Sequence, residues 1–205
     1  MHIEFLLEEA SAEIVLNEIV PKILGNNVTF RFHDFRGKHN LLKNLPERLK
    51  GYKSILQSNN DWRIVVLVDR DVQDCQELKQ NLEQITQNAG LSTHSTSENF
   101  QVLNRIAVEE LESWFFGDIK AIRKAYSRVS ENLNQNRRYR NPDEINGGTC
   151  EALERVLSSK GYYTKGFLPK TEVARNIASH LDPEINISIS FQVFRDGLKL
   201  LLNTE

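Results

Sequence analysis

Nine residues, Arg63-Ile64-Val65-Val66-Leu67-Val68-Asp69-Arg70-Asp71, constrain this chain more than any other stretch. An unbroken apolar run rich in Val and Ile reads as a strand buried on both faces, the mark of a parallel sheet. The run stops at two aspartates one residue apart. On an extended backbone, residues i and i+2 point to the same side. Asp69 and Asp71 are therefore expected to aim two carboxylates at one point beyond the strand's carboxyl end. In open α/β sheets that end is where ligands bind. Carboxylates held close raise each other's pKa. A hard divalent cation relieves the repulsion, and an all-oxygen donor set suits Mg²⁺ or Mn²⁺. The plainer alternative is that one Asp caps the next helix and the other is solvated.

A chain of 205 residues is long enough for one sizeable domain, with or without an appended subdomain. No apolar run approaches the ~20 residues that cross a bilayer. The first residues lack the basic segment, apolar core and cleavage site of a secretory leader. Cys75 and Cys150 are too few and too isolated for a disulfide framework or a zinc site. A cytoplasmic protein with reduced thiols and no membrane contact is expected. The formal charge of -2 makes the molecule no polycation, so any nucleic acid must be met by local basic patches.

His2 to Leu7 reads as a first strand, and Ser11 as the N-cap of a helix running toward Ile23, with Pro21 kinking or ending it. Val28 to His33 alternates as a second strand. Asp34-Phe35-Arg36-Gly37-Lys38-His39 then leads into an amphipathic helix. Arg36 and Lys38, in a Gly-containing loop at the same sheet edge, are candidates for holding phosphate, and Arg70 is a third. Cys75 to Ala89 reads as a helix and Gln101 to Val108 as a fourth strand. Glu109-Glu110-Leu111-Glu112 is expected to open the next helix, its acids favoured by the helix dipole. Asp118 caps a short helix through Ala125.

Composition changes near Ser127. Asn132 to Asn146 reads as an irregular, mobile loop whose Arg137, Arg138 and Arg140 could grip a phosphate backbone while Tyr139 stacks a base. Helices follow over 150–158, 171–180 and 191–202, with Lys170 and Arg175 available to a ligand. The expected architecture is an α/β domain over 1–126, with a mainly parallel sheet flanked by helices, and a mostly helical region over 127–205 packed on it. In such a sheet Glu8 and Glu9, Asp69 and Asp71, and Glu109 to Glu112 all lie at one edge. Three acidic clusters there fit a one- or two-metal site for phosphoryl transfer or hydrolysis.

Several of these stretches resemble a known family. Leu6-Leu7-Glu8-Glu9-Ala10-Ser11 is similar to the first motif of Toprim domains, and Val66-Leu67-Val68-Asp69-Arg70-Asp71 to their Asp-x-Asp motif. Glu110-Leu111-Glu112-Ser113-Trp114 resembles the helix start of RloB-like and overcoming-lysogenization-defect-like Toprim proteins. Together with His33-Asp34-Phe35-Arg36-Gly37-Lys38 and Gly147-Gly148-Thr149, they make the chain resemble, nearly end to end, a bacterial domain-of-unknown-function family of Toprim-like fold. That resemblance implies Glu8 as the catalytic or metal-polarising acid, Asp69 and Asp71 as holders of Mg²⁺, and Glu112, or else Glu109, as the completing acid. It implies a nuclease for DNA or RNA, and relatives of this type often act in phage defence beside an ATPase of the ABC or AAA class. Toprim domains usually carry Gly where Glu9 stands, which weakens any close backbone approach to phosphate.

Two other readings compete. Asp69-Arg70-Asp71-Val72 also fits a haloacid-dehalogenase-like phosphatase, with Asp69 as covalent nucleophile. There the motif normally follows the first strand, and here it follows the third. The remaining reading is a Toprim-like module that binds a partner without catalysis.

Overall fold

A computed structural model describes residues 1–202. The four strands are β1 (His2–Leu7), β2 (Thr29–Asp34), β3 (Trp62–Asp69) and β4 (Val102–Ala107). They form one sheet in the order β2-β1-β3-β4, and every pairing is parallel. Leu7 lies opposite both Asp34 and Leu67, and Asp69 opposite Ala107, so the carboxyl ends of the strands are level. The chain winds from β1 to β2 in one direction, then reverses to β3 and β4. The reversal opens a crevice between the ends of β1 and β3, the usual ligand position in a doubly wound sheet.

Right-handed crossovers dictate which face each helix covers. Helix α1 (Ala10–Leu24) joins β1 to β2 on one face. Helices α2 (Lys38–Ser58) and α3 (Cys75–Asn88) connect strands running the other way and cover the opposite face. The β3 run serves both. Val65 and Leu67 join the core on the α1 side, while Ile64, Val66 and Val68 pack with Leu41, Leu45 and Leu82 beneath α2 and α3.

The short helices α4 (Ser113–Phe116) and α5 (Ile119–Ala125) are followed by two 3₁₀ turns, Leu133–Gln135 and Pro142–Glu144. Then come α6 (Thr149–Ser159), α7 (Lys170–Ala178) and α8 (Ile189–Leu201). Helix α7 packs on α1 and α5, and α8 on β4 and α1. Ile177, Phe191 and Phe194 thereby join Val15, Ile19 and Trp114 in a single apolar cluster. Side-chain bonds fasten the seam: Trp114 Nε1 donates to Ser190 Oγ at 3.1 Å, and Asn186 Nδ2 to the Trp114 carbonyl at 2.8 Å. No helix among the described residues is long and apolar enough to cross a membrane.

Local expectations fail at three places, at Ser11, at Glu109 to Glu112 and at Tyr139. Glu9, not Ser11, is the N-cap residue of α1, and no side chain caps the helix there. Pro21 lies inside its last turn, where the Gly25 N–H still reaches the Pro21 carbonyl at 2.9 Å. Glu109 to Glu112 do not form a helical turn: Glu109 takes a left-handed conformation (φ 64), and helix begins only at Ser113. Tyr139 is buried and stacks on Phe116 with ring centroids 5.4 Å apart, so it serves the core rather than a nucleobase.

Candidate functional site

The loops leaving the strands are bonded to one another. The Phe35 N–H donates to the Leu7 carbonyl at 3.0 Å, and that of Gly37 to the Glu8 carbonyl at 2.7 Å. Gly37 has φ 119, a region that a side chain disfavours. The Arg70 N–H donates to the Ala107 carbonyl at 2.8 Å, and that of Asp71 to the Glu109 carbonyl at 2.9 Å. This second pair explains the left-handed Glu109: its carbonyl is turned toward β3 instead of entering a helix.

Glu8 stands directly after β1, with its Oε2 accepting the Asp69 N–H at 3.2 Å. Asp69, the last residue of β3, is 8% exposed. Glu112 is 2% exposed, and its Oε2 has no hydrogen-bond partner. The hydroxyl of the neighbouring Ser113 is likewise buried and unpartnered. Lys170, the first residue of α7, approaches from the C-terminal region, its Nζ 4.0 Å from Glu112 Oε1 and 3.9 Å from Glu9 Oε1.

The electrostatics follow from burial and like charge. Burial, then the charges of Glu112 and Glu8, push the Asp69 pKa well above the usual carboxylate range. Burial pushes Glu112 up to about 7 against the opposing pull of Lys170. Glu8 is also raised by burial, although the Asp69 N–H works to lower it. Burial works against the Lys170 charge, but the carboxylates of Glu112 and Glu9 outweigh it and hold the ammonium above its ordinary range. Burial, and then the charge of Glu112, push the Cys150 thiol up to about 12, which disfavours its thiolate.

The structure sorts the remaining candidates. Asp71 does not share Asp69's side of an extended strand, because the chain turns left-handed there (φ 52). Its half-exposed carboxylate pairs with Lys38 Nζ at 3.1 Å, and its charge reaches Glu8. The Lys38 ammonium also donates to the carbonyls of Asp69 at 2.5 Å and Arg70 at 3.0 Å. Three acceptors therefore hold its N–H groups to the β3 exit. Arg36 is exposed in a left-handed turn (φ 57), its side chain open to solvent. Arg70 Nη2 pairs with Glu109 Oε1, on the β4 side of the turn. The charge of Glu112, rather than that of Glu109, bears on Asp69. Arg175 is exposed in the last turn of α7, away from the Lys170 end.

Residues that the sequence marked only as members of an acidic cluster or a glycine motif also shape the site. Glu110 Oε2 accepts the Cys150 N–H at 2.8 Å and the Thr149 hydroxyl at 3.2 Å, fixing the start of α6 beside the acids. Gly148 precedes that start with φ 82, a region that a side chain disfavours. Glu9 is the second carboxylate near Lys170.

Among the described residues, no three His, Cys, Asp or Glu side chains form a group that could hold a metal ion as they stand. The donor chemistry nevertheless suits a hard cation: Glu8, Asp69 and Glu112 are all carboxylates, and one buried oxygen of Glu112 lacks a partner.

Fold and site define a doubly wound parallel α/β protein with buried carboxylates at its strand switch point. The chain belongs to the family described as domain of unknown function (DUF4276), which matches residues 7–199. No curated protein and no solved structure matches it.

Proposed function

We propose that this protein is a Toprim-type nuclease that hydrolyses phosphodiesters of DNA or RNA with Mg²⁺ or Mn²⁺. The observation that carries the reading is Glu112 Oε2, buried and unpartnered, with the charges of Glu112 and Glu8 both bearing on the buried Asp69. Those three carboxylates would hold the cation, and Asp71 is a further candidate beside Glu8. When bound, such an ion polarises a phosphoryl oxygen and lowers the pKa of bound water.

The chain's own groups prepare the site. Burial of Asp69 and Glu112 favours their protonated forms. A divalent cation would displace those protons, and ligands must be deprotonated to bind it. Lys170 stands opposite Glu112 as the resident countercharge. Lys38 clamps the Asp69-Arg70-Asp71 turn and so positions the Asp69 carboxylate. Arg36, exposed in the loop after β2, would meet a substrate phosphate. The phosphatase reading asks for an accessible Asp69 nucleophile, whereas this Asp69 is 8% exposed. An ATPase partner and a role in phage defence rest on the sequence resemblance.

The test uses melts and cleavage together. Mn²⁺ should raise the Tm of wild type but not of Asp69→Asn/Glu112→Gln. An ion at about 100 times its Kd contributes ~2.7 kcal/mol. Plasmid, single-stranded DNA and tRNA should then separate DNA from RNA cleavage. Equal melts of both proteins with and without Mn²⁺ would sink the metal site and the nuclease with it.

A further inference from the structure

Beyond the acids, a cavity of about 860 Å³ is lined by Asn136, Arg137, Arg138, Glu144, Asn146 and Arg155. All six residues are polar or charged, and all are exposed. Three arginines stand there against one carboxylate, so two positive charges are in excess. Among the described residues, the arginines in ion pairs are Arg70, Arg123 and Arg195. Arg137, Arg138 and Arg155 lie outside that set. Glu151 and Glu154, close to Arg155 in α6, do not line the cavity. Arg140 is not in the lining either, and its Nη2 donates to the Gln135 carbonyl at 3.3 Å.

The segment that carries these side chains is pinned to the core. Tyr139 stacks on Phe116, and Ile145 is fully buried. Asp143 Oδ1 accepts the hydroxyls of Ser188 at 2.9 Å and Ser190 at 2.7 Å, while its Oδ2 accepts the Ile189 N–H at 2.6 Å. The Arg138 N–H donates to Asn136 Oδ1 at 3.0 Å. The arginines therefore stand on a fixed concave surface. A cleft lined by one sign of charge focuses its field and concentrates the opposite charge.

The cavity is tied to the acid end by the chain itself. From Asn146 to Cys150, whose N–H Glu110 Oε2 accepts, four residues span at most ~14 Å. Each strand of a duplex carries one phosphate per ~3.4 Å of axis, so that span equals about four nucleotides. Guanidinium forks match phosphate oxygens bidentately, and asparagine adds neutral bonds to phosphate or sugar. We propose that Arg137, Arg138 and Arg155 form a track for the phosphodiester backbone of a nucleic-acid strand, holding it beside the acid site. The choice of a phosphodiester polymer over an acidic protein segment rests on the nuclease reading of the acids.

Fluorescence anisotropy of the full chain tests it, with labelled single-stranded DNA, single-stranded RNA and duplex DNA in EDTA over a range of salt. Arg137→Gln/Arg138→Gln/Arg155→Gln should weaken binding by about tenfold or more at low salt. It should also flatten the slope of log K against log salt by about 2 to 3. All three positions are exposed, so its melt should stay near wild type. Lys43→Gln/Lys50→Gln/Lys124→Gln removes the same charge from exposed positions outside the cavity and should bind like wild type. The oligonucleotide bound most tightly identifies the strand type. The track is overturned if no oligonucleotide saturates, if the arginine variant keeps the wild-type slope, or if the lysine variant loses as much. It is also overturned if poly-glutamate of equal charge competes as well as the oligonucleotide, which would make the surface one for an acidic protein. EDTA separates this outcome from the metal reading. An unchanged arginine variant beside a Mn²⁺-stabilised wild type removes the track and leaves the acids. The expected loss of binding in a protein that Mn²⁺ does not stabilise removes the nuclease and leaves the track.

Discussion

Two buried glutamates in this protein have opposite fates. Glu4, in the middle of β1, is 5% exposed, and Glu112, after β4, is 2% exposed. Burial works to raise both pKa values, yet Glu4 ends below its ordinary value and Glu112 rises to about 7. The difference lies in partners. Glu4 Oε2 bonds to His33 Nε2 and accepts the Tyr52 hydroxyl at 3.2 Å, while Oε1 meets His2 Nε2 at 3.1 Å. Glu112 has a distant ammonium and one oxygen with no partner. A buried carboxylate with all its acceptors filled belongs to the scaffold. One left short is held in place for something else, and that contrast is a better guide to function than burial alone.

The comparison breaks most severely on truncation. The Glu4 network lies within β1, β2 and α2, whereas Glu112 is supported by Lys170 and by the α6 and α8 seams. Ending the chain at residue 126 would uncover the face that Phe191, Phe194 and Ile177 cover. We expect such a fragment to lose cooperative unfolding altogether, read by calorimetry. A sharp transition in the fragment would show that the acid end is supported without the last helices.

Glu4→Ala should come next. It leaves two imidazoles and a phenol without their acceptor, and removing one member of a buried charged network costs about 3–5 kcal/mol. Urea denaturation at pH 7 measures it. A loss below ~1 kcal/mol would mean that water replaces the carboxylate and that the network is not part of the scaffold.

Glu112→Gln should have the opposite sign. Gln resembles the protonated acid, whose pKa rises from 4.5 to about 7. A raised folded-state pKa means stability that is full below pH 4.5 and lost as pH climbs through about 7. Above that pH, without divalent metal, the variant should exceed wild type by up to ~3 kcal/mol. Glu4 works the other way: its contribution is present above pH 4.5 and is lost as pH falls through its lowered folded value. Denaturation at pH 5 and pH 8.5 separates the two. If Glu112→Gln is less stable than wild type at both, the carboxylate is a structural ion-pair partner of Lys170.

The smallest effect belongs to Tyr52→Phe, which removes one of the bonds to Glu4 and leaves both histidines. A loss of about 0.5–1.5 kcal/mol is expected. No measurable change would assign the lowered Glu4 pKa to the histidines alone.

The chain by itself determined the sheet and its acidic edge. The unbroken Val-Ile run of β3 has to be buried on both faces, and alternating strands and helices of this length lead to parallel pairing with right-handed crossovers. Glu8 and Asp69 follow directly from that, because each sits where its strand stops. Tertiary structure decided what local rules cannot reach. Period-two reasoning placed Asp71 beside Asp69, but the bond from the Asp71 N–H to the Glu109 carbonyl turns the chain left-handed and sends Asp71 to Lys38. Glu109 likewise leaves the expected helix and pairs with Arg70, while the charge that bears on Asp69 is that of Glu112. Tyr139 read as a loop aromatic until Phe116 became its stacking partner. The partners of Asn104 and Arg105 depend on what α3 and α8 bring to the edge of β4, and contacts between residues so distant in the chain leave no local pattern to read.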